Sequence, residues 1–137
     1  MSIFGLLFRF ACVYIAILVA ISVAFARIGV SPNSAINTGA LIGAVFLGCG
    51  WFITMNKRTL IDREKRIAFL GMWAIDLALQ GIAVVGVCAL SGFKITFGPL
   101  LLVFGIVGIS HGVGIYFLVG MANKLYARQL AKDVLPR

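Results

Sequence analysis

The sequence predicts an all-α membrane protein, a bundle of four transmembrane helices with both termini in the cytoplasm. Its 137 residues are 62% hydrophobic and only 12% charged, with a mean hydropathy of +1.11, which is too apolar for a soluble surface. Four apolar runs each approach the roughly 20 residues that a helix needs to cross a bilayer. A single strongly charged segment, residues 56–66, separates the second run from the third.

The charged segment at 56–66 reads NKRTLIDREKR and determines the predicted orientation. A basic segment stays in the cytoplasm under the positive-inside rule. With the N-terminus inside, ten of the twelve Lys and Arg residues are cytoplasmic, and only Arg27 and Lys94 are external. We therefore attribute the net charge of +8 to topology and to anionic lipids, each basic residue near the surface contributing about 1 kcal/mol, rather than to nucleic acid. The residues predicted to contact lipid headgroups are Lys57, Arg58, Arg63, Lys65, Arg66, Lys124, Arg128 and Lys132.

The first two predicted spans cover residues 3–26 and 35–55. The first apolar run is too long for the hydrophobic region of a signal peptide, so we expect it to remain as an anchor. Between the two spans, residues 27–34 contain Gly29 and Ser31-Pro32-Asn33-Ser34, which favour an external turn.

The third and fourth predicted spans cover residues 67–90 and 97–122, joined by an external turn at 91–94. In the tail, 123–137, Lys124, Arg128 and Lys132 recur every four residues, which predicts a helical extension that rests its apolar row on the bilayer or on a partner, closed by Pro136. The whole chain, 1–137, is predicted to be a single domain in the inner (cytoplasmic) membrane of a bacterium.

Small residues in the second and fourth spans predict close helix packing. Gly39 and Gly43 form a GxxxG pattern in the second span, and the fourth span is rich in glycine. Such faces let helix backbones approach, within one chain or between copies. We expect a homo-oligomer, because so short a bundle encloses little cavity of its own. The predicted packing positions are Gly39, Gly43, Gly48, Gly108 and Gly112.

No motif predicts an enzyme, a metal site or a cofactor. Cys12, Cys49 and Cys88 stand singly in three spans without a CxxC pair, so we expect small buried side chains rather than disulfides or zinc ligands. Neither a GxSxG nucleophile elbow nor a GxxxxGK[ST] phosphate loop occurs. We therefore expect no catalytic residue.

Asp76 is the most informative residue, because it lies about 14 Å inside the predicted boundary of the third span at 1.5 Å per residue. A carboxylate at that depth costs at least a few kcal/mol unless it is paired, hydrated or protonated. Gln80 follows one turn later, and His111, the single histidine, has a similar predicted depth of about 16 Å. With Arg9 and Tyr14 of the first span, they form the predicted intramembrane polar cluster.

This cluster has two interpretations. A carboxylate beside an imidazole can hold or pass a proton, as in proton-coupled carriers. Alternatively, the polar contacts fix how the first, third and fourth helices pack. Small multidrug carriers also have four short spans, but they place an essential glutamate in the first one, and here residues 14–25 contain no acid.

Several landmarks resemble a family of short four-span inner-membrane proteins of Gram-negative bacteria, which includes a ciprofloxacin tolerance protein. They are Arg9-Phe10, Val13-Tyr14, Asn37, Ala40-Leu41-Ile42, Ala44, Phe52, Arg58 and Glu64-Lys65-Arg66. The resemblance implies a role in antibiotic tolerance and in the envelope barrier, without an enzymatic activity.

Three functions follow as hypotheses. The first is a non-enzymatic membrane protein that supports drug tolerance by maintaining the barrier. The second is a small proton-coupled exporter of cationic or zwitterionic drugs, with Asp76 as the proton and substrate carboxylate and His111 as its partner. The third is an accessory subunit of a larger membrane complex.

Overall fold

The computed structural model describes residues 1–29, 34–91 and 97–134. All regular secondary structure in these ranges is α-helical, and each of four helices is long and apolar enough to cross a membrane. The prediction of an all-α protein with four apolar spans is confirmed. The helices are α1 (Ile3–Arg27), α2 (Ser34–Asn56), α3 (Asp62–Ser91) and α4 (Phe97–Val134). Residues 30–33 of the first predicted external turn and residues 92–94 of the second, like Pro136, lie outside the described residues.

Helix α3 begins at Asp62, five residues before the predicted third span. Its first turn carries two acids, Asp62 and Glu64, which the positive end of a helix dipole stabilises. Glu64 accepts a hydrogen bond from the Ile61 backbone N–H at 3.1 Å and two from Arg58 at 2.7 Å each. This bidentate contact raises the pKa of the exposed Arg58 guanidinium. Half of the segment predicted as a loop is therefore the capped start of a helix.

Helix α4 is continuous for 38 residues, to Val134. At 1.5 Å per residue it is about 57 Å long, whereas a hydrocarbon core is about 30 Å thick. The tail is therefore helical, as predicted, as far as Val134, and it continues the fourth span without a break.

The four helices pack in the cyclic order α1, α2, α4, α3. Consecutive helices α2 and α3 are consequently diagonal to one another, joined by the short connection Lys57–Ile61. The buried core contains small and large apolar side chains from all four helices and from the connection. The outer faces are apolar as well, with Phe8 and Val19 of α1 and Ile106 and Ile109 of α4 exposed, as expected for surfaces that contact lipid.

The diagonal connection Lys57–Ile61 is held to the end of the bundle, called here the loop end. Leu60, which belongs to this connection, is buried. The Leu60 backbone N–H donates to Asn123 Oδ1 at 2.9 Å, and Asn123 Nδ2 donates to the Leu60 carbonyl at 3.4 Å. On the opposite side, Asn56 Nδ2 donates to the Met1 carbonyl at 3.2 Å and its Oδ1 accepts from the Met1 amino group. Asn123 therefore fastens the connection to α4, and Asn56, the last residue of α2, fastens the end of that helix to the N-terminal Met1.

Glycines permit close contacts between the helices, but not all of the glycines with close contacts are the predicted ones. A Cβ at Gly43 would lie 3.5 Å from Ile17, and one at Gly48 would lie 3.7 Å from Phe10, whereas nothing lies within 4 Å at Gly39. The two tightest positions among the glycines that the structure describes were not predicted: a Cβ at Gly50 would overlap the Tyr126 ring, and one at Gly71 would lie 2.6 Å from Leu7. These glycines receive large side chains from neighbouring helices rather than another small-residue stripe.

We predict that Gly50→Ala lowers the free energy of unfolding by about 1–2 kcal/mol relative to Gly39→Ala. Alanine gains about 1 kcal/mol of helix propensity at both positions, but at Gly50 the new methyl group meets the Tyr126 ring, and overpacking typically costs about 1–3 kcal/mol. Unfolding of the two purified variants in detergent measures the difference. Equal stability of the two variants would contradict the packing of Tyr126 against Gly50.

We also predict that Asn123→Ala destabilises the protein by about 1–3 kcal/mol, because it leaves the buried Leu60 N–H without an acceptor. The exposed Gln129 on the same helix provides the control, since Gln129→Ala removes no described hydrogen bond. Melting temperatures in detergent should rank Asn123→Ala lowest, and a melting temperature of this variant equal to that of Gln129→Ala would exclude the role of Asn123.

Candidate functional site: a buried polar cluster

Asp76 lies in the interior of the bundle because it belongs to the buried stripe of α3. Ala68, Met72 and Asp76 recur every four residues, so they share one helical face, and all three are fully buried. The stripe of α1 that faces them has the same spacing, with Leu6, Phe10 and Tyr14 fully buried. The sequence pattern that builds the core thus places a carboxyl group opposite a phenol.

Both oxygens of Asp76 have hydrogen-bond partners. The Tyr14 hydroxyl donates to Oδ1 at 2.6 Å, and Gln80 Nε2 donates to Oδ2 at 2.7 Å. His111 Nδ1 lies 2.9 Å from the same Oδ2 and 3.0 Å from Gln80 Nε2. The structure therefore brings together four of the five residues of the predicted cluster, from α1, α3 and α4.

Asn37 of α2 also belongs to this arrangement, although it was not predicted as a site residue. Its side-chain Oδ1 lies 2.6 Å from the Tyr14 hydroxyl oxygen. The polar cluster, defined from here on as Tyr14, Asn37, Asp76, Gln80 and His111, therefore receives a side chain from every helix. A signal was available in the sequence, because an asparagine near the start of an apolar span needs a polar partner.

Arg9 does not join the polar cluster. Its guanidinium carbon lies 4.4 Å from the centre of the Trp51 ring of α2, in the geometry of a cation–π contact. Its buried Nη1 has no hydrogen-bond partner in the described part of the chain. Arg9 thus stacks on an aromatic ring, and its predicted place in the intramembrane polar cluster is not observed.

Trp73 holds α3 against α4 next to the polar cluster. Its indole Nε1 donates to the Gly108 carbonyl at 2.8 Å, and a Cβ at Gly112 would lie 3.0 Å from the same nitrogen. A Cβ at Gly108 would lie 3.1 Å from Leu77. The absence of a side chain at Gly112 therefore lets the Trp73 indole approach the α4 backbone, and the absence of one at Gly108 makes room for Leu77.

Counting protons constrains the state of the cluster. A phenol has one proton, yet the Tyr14 oxygen lies 2.6 Å from both Asp76 Oδ1 and Asn37 Oδ1. Both contacts are satisfied when the Asn37 amide turns its nitrogen toward Tyr14, or when Asp76 is protonated and donates to the phenol oxygen. A further proton is needed between Asp76 Oδ2 and His111 Nδ1, and either residue can carry it. The geometry of this hydrogen bond is therefore compatible with the proton on the carboxyl group or on the imidazole.

The cysteines contribute nothing to the polar cluster. Cys49 is buried as expected, Cys88 is partly exposed and Cys12 is exposed. The expectation that all three are buried is wrong for Cys12, because this residue lies on the outer face of α1, between the inward-facing Phe10 and Tyr14. In residues 1–29, 34–91 and 97–134, no three His, Cys, Asp or Glu side chains converge on a metal site.

We predict that Tyr14→Phe lowers the free energy of unfolding by about 1–3 kcal/mol, because it removes a buried donor from Asp76 and leaves Asn37 without its partner. Tyr116→Phe is the matched control, since the Tyr116 side chain is 62% exposed and its hydroxyl makes no described hydrogen bond. Unfolding in detergent provides the measurement. A loss no greater for Tyr14→Phe than for Tyr116→Phe would show that the Tyr14 hydroxyl does not stabilise the bundle.

Comparisons with protein-family models, with curated proteins and with solved structures found no match to this chain. The polar cluster is therefore characterised by its own geometry: a fully buried carboxyl group with hydrogen-bonding partners from three helices and, through Tyr14, from the fourth.

Proposed function

We propose that this chain is a non-enzymatic, multi-pass protein of the bacterial inner membrane that supports antibiotic tolerance by maintaining the envelope barrier. The resemblance to a family that includes a ciprofloxacin tolerance protein supports the biological role. The concentration of basic residues at the loop end and in the extension of α4 supports an orientation with both termini in the cytoplasm. Outward glycines with no neighbouring atoms, such as Gly39 and Gly105, leave room for a second copy or a partner helix.

One observation carries this proposal: Asp76 is fully enclosed, and its hydrogen bonds connect the helices of the bundle. A carboxylate that binds a drug and exchanges protons must be reachable from water. Here access would require breaking the Tyr14 or His111 contact. The geometry therefore favours a polar cluster that fixes helix packing over a transport site.

The second candidate function is the proton-coupled exporter, and the contact between Asp76 and His111 favours it. The 2.9 Å contact is the arrangement in which a carboxyl group and an imidazole can exchange a proton. In this function, a cationic or zwitterionic drug would compete with that proton for Asp76 after the surrounding helices separate.

The test is the accumulation of a fluorescent fluoroquinolone in energised cells that carry no copy, the wild type or Asp76→Asn, with and without a protonophore. Asparagine keeps the shape of the side chain but cannot take up and release a proton. For the barrier function, we expect the wild type to lower accumulation and Asp76→Asn to lower it equally at matched membrane abundance. The protonophore should then leave the difference between these cells and cells with no copy unchanged.

Asp62→Asn is the control, because it neutralises an exposed carboxylate on the same helix. If Asp76→Asn and the protonophore each abolish the protection while Asp62→Asn retains it, the exporter replaces the barrier protein as the better explanation. Melting temperatures of the purified variants separate a loss of proton coupling from a loss of folded protein.

A further inference from the structure

A groove of about 480 Å³ lies between the first turns of α3 and the second half of α4, at the loop end of the bundle. Its volume is within the range of about 300–1,000 Å³ that small-ligand sites occupy. None of the residues of the polar cluster lines it. The lining consists of charged residues at one end and aromatic or aliphatic residues at the other, and we call it the α3–α4 groove: Asp62, Lys65, Arg66, Phe69, Tyr116, Phe117, Val119, Gly120, Met121 and Lys124.

The charged end of the groove is positive. Three cations, Lys65, Arg66 and Lys124, line it together with one acid, Asp62. Lys65 Nζ is paired with Asp62 at 3.0 Å. Arg66 and Lys124 make no ion pair or hydrogen bond within the described ranges, and both are exposed. Arg66 and Lys124 are therefore available to bind an anion, and a cationic ligand would be repelled.

The other end of the groove is an aromatic wall. The Phe69 and Tyr116 rings meet edge to face at 5.8 Å, and Tyr116 meets Phe117 in the same way at 5.8 Å. Phe69 also stacks against Trp73, with the ring centres 6.4 Å apart. Such a surface offers contact to an alkyl chain but no charge to a polar ligand.

The charged end of the groove corresponds to the headgroup region of a bilayer, and the aromatic end corresponds to the hydrocarbon region. Lys65 and Arg66 directly precede the apolar run that starts at Ile67, and Lys124 follows the one that ends at Ala122. The cations therefore lie at the level of the headgroups, while Phe69 and Tyr116 lie one to two turns farther into the hydrocarbon. The groove thus offers positive charge and apolar contact at the two depths where a phospholipid has its phosphate and its acyl chains.

We propose that the α3–α4 groove binds one anionic phospholipid, with its phosphate between Arg66 and Lys124 and an acyl chain along Phe69, Tyr116 and Phe117. This site differs from the general attraction of basic residues to a membrane surface, because it needs two particular cations and an adjoining apolar wall. It is also independent of the role in drug tolerance, since it depends on the groove and on a membrane-spanning bundle alone.

The experiment titrates the purified full-length protein in a neutral detergent and follows binding by native mass spectrometry. The probes are a short-chain phosphatidylglycerol, a phosphatidylcholine of the same chain length and glycerol phosphate without acyl chains. We expect one phosphatidylglycerol to bind, and both other probes to bind at least about tenfold more weakly. The double variant Arg66→Gln/Lys124→Gln should weaken phosphatidylglycerol binding by roughly 10- to 30-fold, from about a factor of five for each lost phosphate contact.

Arg63→Gln/Lys132→Gln is the matched control, because it removes the same charge from the same two helices outside the groove. This control should change the affinity by less than about threefold. Equal losses in the two double variants would overturn the proposal in favour of diffuse surface charge. Equal binding of phosphatidylcholine would exclude recognition of the anion, and equal binding of glycerol phosphate would exclude the acyl-chain contact. Melting temperatures without lipid confirm that both double variants fold.

Discussion

The structure depends on one requirement: a carboxyl group enclosed in an apolar helical bundle must find all its hydrogen-bonding partners within the protein. Asp76 meets it through Tyr14, Gln80 and His111, because its fully buried side chain has no contact with solvent that could replace a missing partner. Tyr14 and His111 fix the rotation of α1 and α4 relative to α3, and Tyr14 extends the constraint to Asn37 of α2. Apolar packing between the helices tolerates small rotations, whereas these contacts do not, since their distances fall between 2.6 and 3.0 Å.

At the loop end of the bundle, buried backbone groups likewise need hydrogen-bonding partners within the protein. The connection between α2 and α3 crosses the bundle diagonally, so its backbone would leave buried N–H and carbonyl groups unpaired. Asn123 supplies both partners that Leu60 needs, and the Arg58–Glu64 pair caps the start of α3 nearby. The polar cluster and the connection together account for the two buried polar residues in the described ranges, Asp76 and Asn123.

The class of the fold and most of the polar cluster could be predicted from the sequence, because hydropathy determines the spans and spacing determines depth. Asp76, Gln80 and His111 were expected at one level, and they meet. The place of Arg9 could not be predicted, since cation–π stacking on Trp51 depends on helix rotation, which packing determines. Gly50 and Gly71 were missed because their partners, Tyr126 and Leu7, are large and distant in sequence. The early start of α3 was missed because its charged first turn has the composition of a loop.

The contact between Asp76 and His111 has an electrical consequence. A carboxylic acid beside a neutral imidazole and a carboxylate beside an imidazolium contain the same number of protons, and the pair is neutral overall in both forms. Exchange between these forms alters a local dipole but not the net charge inside the bilayer, so a membrane potential biases it only weakly. Gain or loss of a proton changes the net charge by one, and moving one charge across the membrane corresponds to about 2.3 kcal/mol per 100 mV. A change in the number of protons on this pair would therefore respond to the membrane potential far more than a transfer of the proton from one partner to the other.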